Sequence, residues 1–399
     1  MNIIISNDNS DVPPSISRRH KVLFIRSHNK VFGSAIIAGG LRMMPHVDFA
    51  QYPLWPSHYR ATLKKLDDPE LAWEDLQVNA LHNPQMLAAQ LRDSFYDVIL
   101  LADHNARLFQ QHHAGVMTTL KIWRNLFRNI RSNGMKNAWR DYQYLTSIHW
   151  TIAELCRFAP VAVIDFIDPP YLTSGDIDLL EYCQLYFKRE IPYDRFILYH
   201  QNHQRTKSFS AEKKITLLNK VHGIPLGIRD QKFQTLQKLR TTPQDIDIFW
   251  CGKISNTLRI TAVKYLQELS LQKSWKIVIL EKQLTFDEYC RLIARSKITI
   301  SIAGAGWDCF RHYEAVALGS LPLINRPTVD SVWWHNLPEE IFFENHFLNF
   351  AVRLETLLAD DALRHHLLNR VETMIQTNAL WSKIVEYILD TSLLQHYSR

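Results

Sequence analysis

A series of short apolar runs punctuates the chain: KVLFIRS (21–27), YDVILLADH (96–104), VAVIDFID (161–168), IDIFWCGK (246–253), WKIVIL (275–280), KITISIAG (297–304) and LPLIN (321–325). Their apolar residues are nearly continuous rather than alternating, the pattern of strands buried on both faces of a parallel sheet. Helical periodicities lie between them, and strands alternating with helices predict an α/β fold with parallel sheets. The runs fall into two groups. The stretch from Gly223 to Asp247, including QKLRTTPQD (237–245), is polar and marks a junction. Beyond about His346 the pattern is helical only, with Phe350, Leu354, Leu357 and Leu358 on one face and Trp381, Ile384, Val385 and Ile388 on another. The expected organisation is a loose tail over 1–19, a doubly wound domain over 20–240, a second over 245–375 and a terminal helix over 376–399. No repeat with the period of a solenoid is visible.

Composition changes this picture little. The 399 residues are 46% hydrophobic and 22% charged, which excludes a largely disordered chain. No apolar run approaches the ~18 residues needed to cross a bilayer, and the N-terminus has no signal-peptide core. The expectation is a soluble, cytoplasmic protein. Cys156, Cys183, Cys251, Cys290 and Cys309 are scattered and form no CxxC, which argues for reduced thiols rather than a disulfide framework or zinc site. The net charge of +6 suits an anionic small molecule or an anionic surface; no nucleic-acid partner is expected.

The densest chemistry lies in GAGWDCFRHYEAVALGSLPLI (304–324). TFDEYCRLIARS (285–296) reads as a helix opened by a Thr285/Glu288 capping box. A strand follows, then Gly304-Ala305-Gly306, then a helix that Asp308 is placed to cap and Gly319 to end. A helix N-terminus behind a glycine turn offers free N–H groups and the positive end of a dipole, so the turn favours an anion such as a diphosphate. Arg311 and Glu314 are i and i+3 and share a face. Arg311 suits phosphate oxygens, and Glu314 suits two vicinal hydroxyls, as on a ribose. Together they match a nucleotide diphosphate sugar. A dinucleotide fingerprint would need glycine or alanine where Cys309 stands.

From Phe286 to Pro327 the string FDEYCRLIARSKITISIAGAGWDCFRHYEAVALGSLPLINRP resembles the nucleotide-binding domain of GT-B glycosyltransferases of the exostosin-like and spore-coat-maturation-like kinds. The matching positions are Tyr289, Ser296, Lys297, Gly304, Arg311, Glu314, Ala315, Gly319 and Pro322. IDIFWCGKISNTLR (246–259) resembles the first strand and loop of that domain, and QLYFKREIP (184–192) and HGIPLGI (222–228) resemble segments near the domain junction. The resemblance implies two Rossmann-like domains facing a cleft, with the donor on the second domain, the acceptor on the first and a final helix returning to the first. It implies that Glu314 holds the ribose and that Arg311 or the glycine loop meets the diphosphate or sugar. The second glutamate that many retaining members carry eight residues earlier is here Gly306, so this motif does not decide between retention and inversion.

The expected function is transfer of a sugar from a nucleotide diphosphate sugar to a hydroxyl of a saccharide, lipid-linked or protein acceptor. No cofactor or metal is expected, since GT-B enzymes stabilise the leaving group with dipoles and cations. Substrate-binding candidates are Lys253, Arg259, Gly304, Ala305, Gly306, Arg311 and Glu314. A base for the acceptor would stand at a strand end of the first domain; His28 and Asp103 are the two choices among His28, Asp103, His104 and Asp168. Asp176 and Asp178, in GDID (175–178), are the fallback should a metal be required. The basic amphipathic stretch 121–140 suits either packing on the first domain or peripheral contact with an anionic membrane. The alternatives are a sugar-nucleotide epimerase of the same fold and a non-catalytic nucleotide- or carbohydrate-binding module.

Overall fold

The structure, a computed structural model, describes residues 19–26, 31–52, 79–81, 83–102, 131, 135, 150–241, 243–282, 284–330 and 335–397. Among these residues the chain forms two parallel sheets. The first contains β1 (His20–Ile25), β2 (Val47–Tyr52), β3 (Val98–Leu101), β4 (Val161–Asp165), β5 (Leu185–Lys188) and β7 (Val221–Gly223), in the order β2-β1-β3-β4-β5-β7. The second contains β8 (Ile246–Cys251), β9 (Ile277–Leu280), β10 (Ser296–Ser301), β11 (Leu321–Asn325) and β13 (Phe342–Phe343), in the order β13-β11-β10-β8-β9. Each winding reverses beside its opening strand, at β1/β3 and at β8/β10. Such a switch point opens a crevice at the carboxyl ends of the two strands.

The continuous apolar runs explain the cores. Val22–Ile25, Val98–Leu101 and Val161–Ile164 are buried on both faces of the first sheet, and Ile248, Trp250, Ile298, Ile300, Leu321 and Leu323 fill the second domain. The polar stretch 223–247 holds a helix, α2 (Asp230–Gln237), whose Phe233 and Leu236 belong to the second core.

The chain crosses between the domains twice, side by side. The Ile228 N–H donates to the Ala379 carbonyl at 2.9 Å, and the Trp381 N–H donates back to the Ile228 carbonyl at 3.0 Å. The last helix, α8 (Trp381–Tyr397), buries Trp381, Val385 and Ile388 against the first domain. There it meets α1 (Val31–Arg42), where a Cβ at Gly40 would lie 2.5 Å from the Trp381 carbonyl oxygen. Glycine is what lets the two helices approach this closely. A further tie is a two-stranded antiparallel ribbon, β6 (Ile191–Pro192) from the first domain with β12 (Val329–Asp330) from the second. Between β8 and β13 the second domain carries α3 (Thr257–Gln272), α4 (Phe286–Ala294) and α5 (Phe310–Ala317); α6 (Phe350–Ala359) and α7 (Asp361–Asn378) follow.

Candidate functional site

A cavity of about 670 Å³ opens beside the second switch point, walled by the loop after β8, the loop after β9 and the first turns of α4 and α5. Of the residues singled out from sequence, Lys253, Arg259, Arg311 and Glu314 line it. A second cavity, of about 590 Å³, lies at the amino ends of the first sheet's strands, around Asp97, Pro160 and Lys220. That is the end of a parallel sheet away from the ligand crevice.

Arg311 stands at the start of α5. Its Nη2 donates to the Cys251 carbonyl at 2.6 Å, which places the guanidinium against the backbone of Gly252; a Cβ there would lie 2.8 Å from Nη2. Its Nε and Nη1 are buried and have no acceptor. Buried guanidinium donors are costly to leave unmade and bind carboxylate or phosphate oxygens strongly.

One turn along α5, Glu314 is nine-tenths buried. Its Oε1 accepts from Lys232 Nζ of α2 at 2.9 Å, and its Oε2 accepts from Tyr289 Oη of α4 at 3.0 Å. The Lys232 ammonium lies over the Phe286 ring, 4.7 Å from its centroid. Burial, and then the charge of Glu314, push the Tyr289 phenol well above its ordinary pKa, so it donates to the carboxylate as a neutral hydroxyl.

Arg259 spends its guanidinium on the backbone. Nη1 reaches the Lys253 carbonyl at 2.9 Å, Nη2 the Ile302 carbonyl at 3.0 Å and Nε the Ala303 carbonyl at 3.0 Å. Asn256, the N-cap of α3, adds bonds to the Ala303 and Gly304 carbonyls at 3.1 and 3.2 Å. The pair fastens the loop after β8 to the loop after β10. Burial, followed by repulsion from Arg311, lowers the Arg259 pKa. Lys253 is exposed at the cavity wall.

The glycine turn faces elsewhere. Gly304, Ala305 and Gly306 do not line the cavity. A Cβ on Gly304 would lie 3.0 Å from Arg259 Nη2, and one on Gly306 would lie 2.5 Å from Arg189 Nη2 and 2.7 Å from Glu190 Oε1. Ala305 is exposed. The N–H groups of Trp307 and Asp308 donate to the Glu190 carboxylate of the first domain at 3.3 and 3.2 Å. The protein's own carboxylate therefore takes the N–H groups of the turn ahead of α5. Burial raises the Glu190 pKa, and the Asp308 charge adds to the rise while Arg189 opposes it.

Asp308 does not cap α5, contrary to the sequence expectation. The N-cap is Cys309, which makes no side-chain capping bond. Asp308 turns inward instead, accepting from the Leu226 N–H at 2.6 Å and the Tyr313 hydroxyl at 2.8 and 2.9 Å. Burial raises its pKa to about 6. Neighbouring His312 is buried too, and burial lowers its pKa to about 3.

On the first domain, His28, Asp103 and His104 lie outside the described residues, as does the stretch 121–140 apart from Arg131 and Met135, both exposed. Asp168 is ion-paired with Arg189. Asp176 completes the capping box of the helix Ser174–Tyr182 by accepting from the Thr173 N–H at 2.7 Å, and Asp178 pairs with Arg205. Sequence reasoning missed Lys232 as part of the site and Glu190 as the carboxylate that takes the N–H groups of the glycine turn. Tyr289 is one of the positions that carry the family resemblance, which by itself implies no role for it. Only the pattern in 286–327 pointed to Tyr289; Lys232 lies in a segment that reads as a polar junction.

Residues 252–333 match the family model of the RXYLT1 C-terminal domain, an exostosin-like glycosyltransferase domain. The match runs from the end of β8 past β12 and contains Lys253, Arg259, the glycine turn, Arg311 and Glu314. The two parallel sheets and the returning terminal helix match the two-domain α/β architecture expected from the sequence. Solved structures similar along nearly the whole chain include a glycosyltransferase from Rickettsia africae ESF-5, at 12% identity and TM-score 0.44 over 94% of this chain and 99% of that one. The catalytic domain of starch synthase IV from Arabidopsis thaliana, bound to ADP and acarbose, is similar at 10% identity and TM-score 0.48 over 96% and 100%. A UDP-N-acetylglucosamine 2-epimerase is similar at 13% identity and TM-score 0.35 over 96% and 98%. Likenesses this distant carry no functional argument. No curated protein matches the chain in sequence. Among the described residues, no helix is long and apolar enough to cross a membrane.

Proposed function

We propose that the protein transfers a sugar from a nucleoside diphosphate sugar, bound in the cavity of the second domain, to a hydroxyl acceptor held by the first. The observation that carries this reading is Arg311, whose Nε and Nη1 are buried and unpartnered beside the cavity that Glu314 also lines. The guanidinium takes diphosphate oxygens, and the Glu314 carboxylate, with one lone-pair direction still open on each oxygen, accepts from the ribose hydroxyls. In the reaction the acceptor oxygen bonds to the anomeric carbon, the bond from that carbon to the phosphate oxygen breaks, and the acceptor proton leaves to a base or to the departing diphosphate. Charge grows on the leaving diphosphate, so a fixed cation there lowers the barrier. Arg311 supplies that charge, with Lys253 at the wall as a second cation, and the transfer needs no metal.

The test is calorimetry with UDP, GDP, ADP, CDP and TDP, followed by turnover assays on a panel of nucleotide sugars with saccharide, lipid-linked and protein acceptors. Binding followed by acceptor-dependent nucleotide release supports transfer. Nucleotide-sugar isomerisation without an acceptor selects the epimerase, and binding without turnover selects the binding module. No binding of any of the five at millimolar concentration removes the reading.

A further inference from the structure

Lys232 stands on α2, just past the first crossover between the domains, in a segment whose sequence is otherwise that of a polar junction. Burying a lysine is expensive unless its charge is matched. Here the side chain is about nine-tenths buried, its Nζ is 2.9 Å from Glu314 Oε1 and an aromatic ring lies beneath it. The partner is 82 residues away in sequence and is the carboxylate that lines the cavity. The same turn of α2 carries Asp230, whose carboxylate accepts from the Ser382 N–H at 3.1 Å and so anchors the helix to the start of α8. Lys232 is thereby held at a fixed position, and Glu314 with it.

We infer that Lys232 is a positioning residue for the ribose-binding face of the nucleotide site: it holds the Glu314 carboxylate oriented so that it can accept two hydroxyls at once. This rests on the nucleotide reading of the cavity. Lys232 and Tyr289 each occupy one lone-pair direction, one per oxygen, and the remaining direction on each oxygen is what a cis-diol requires. The ligand class that follows is a ribonucleotide; a 2′-deoxyribonucleotide satisfies half of the carboxylate.

The experiment compares UDP with 2′-deoxy-UDP, or the corresponding pair for whichever base binds best, by calorimetry on the full chain. The wild type is expected to prefer the ribonucleotide by about tenfold or more, the range for a hydrogen bond to a charged group. K232M is expected to lose about tenfold in ribonucleotide affinity and to bind both nucleotides alike. K232Q keeps the volume and one donor but not the charge; it is expected to lose most of the preference, and it serves if K232M does not fold. A role confined to folding would lower the melting temperature and leave the ribose preference of the remaining folded protein intact. That result, in either variant, overturns the inference while the nucleotide reading stands. A wild type that binds no nucleotide removes the reading and the inference together; a wild type that binds nucleotides without ribose preference overturns the inference alone.

Discussion

The two domains share a winding rule and differ in what stands at their strand ends. In the second, the crevice beside β8 and β10 holds an open cavity and an arginine with donors to spare. In the first, the ends of β4 and β5 are closed by internal charge pairs: Asp165 with Lys188 at 2.9 Å, both fully buried, Asp168 with Arg189, and Glu190 on the backbone of the second domain. Among the described residues, the second domain turns a guanidinium with open donors toward a cavity, whereas the carboxylates at these strand ends of the first are paired with cations or backbone of the protein itself. An unmet buried donor beside a cavity points to a ligand, whereas charges paired within the protein point to architecture.

Removing the unmet donors is the sharpest way to test this contrast. Arg311→Ala is expected to lower kcat by about 10²–10³, roughly 3–4 kcal/mol, the effect of losing one group that stabilises charge in the transition state. Its cost in stability should be small, since only the Cys251 carbonyl loses a donor. Activity is expected to persist in EDTA. Loss of activity on chelation, restored by Mg²⁺ or Mn²⁺, would show that the leaving group depends on a metal, and Asp176 and Asp178 would then be tested first.

Glu190→Ala is expected to do the reverse. It leaves two N–H groups without their acceptor and Arg189 with Asp168 alone, and breaking a buried charged contact costs about 3 kcal/mol or more. The denaturant midpoint should fall sharply while nucleoside diphosphate affinity stays within about threefold, well under 1 kcal/mol. A large loss of nucleotide affinity in this variant would make the clasp part of the donor site and erase the contrast.

Gly306→Ala follows in size. Its methyl would press on Arg189 and Glu190, both buried, at 2.5 and 2.7 Å, and such overpacking costs about 1–3 kcal/mol. Gly304→Ala meets Arg259 at 3.0 Å and should cost less. Equal losses at the two positions would mean that the interdomain contact places no special demand on Gly306.

These glycines mark where the sequence was legible and where it was not. Their spacing after a strand gave the turn correctly. The reason for them was hidden, because it lies in Arg259, Arg189 and Glu190, which come from other elements. Strand β11 is a continuous apolar run, β8 is broken only by Asp247, and β10 sets Ile298 and Ile300 among small hydroxyl residues, so all three can be read directly. β5 was missed because its last residue is a lysine, and Lys188 sits in a sheet only by virtue of Asp165, 23 residues earlier. β2 alternates at the sheet edge, and β7 spans Val221–Gly223 only, too short to register. Arg311 and Glu314 were found by their shared helix face. Lys232 carries no local signal at all, since what makes it part of the site is a contact across 82 residues.

The smallest expected effect concerns Asp308 and His312, neighbours on the seam between the two regions whose proton affinities are shifted in opposite senses. His312 is held neutral in the fold down to about pH 3, against 6.5 in the unfolded chain. Its contribution is complete above pH 6.5 and is lost as pH falls, at about 1.4 kcal/mol per unit. Asp308 is protonated in the fold below about pH 6, against 3.8 when unfolded. Between those values the folded state binds the extra proton, so stability rises as pH falls, at the same rate. From pH 6 to about 4 the two slopes oppose each other in the wild type. Asp308→Asn removes one of them and keeps an acceptor for the Leu226 N–H. Relative to the wild type, the variant should therefore lose about 1.4 kcal/mol more per pH unit across that window, read from urea midpoints at pH 7, 6 and 5. Parallel curves for the two proteins would show that Asp308 is ionised in the fold at pH 5 as it is in water, and that its burial is offset by the Tyr313 hydroxyl and the Leu226 N–H.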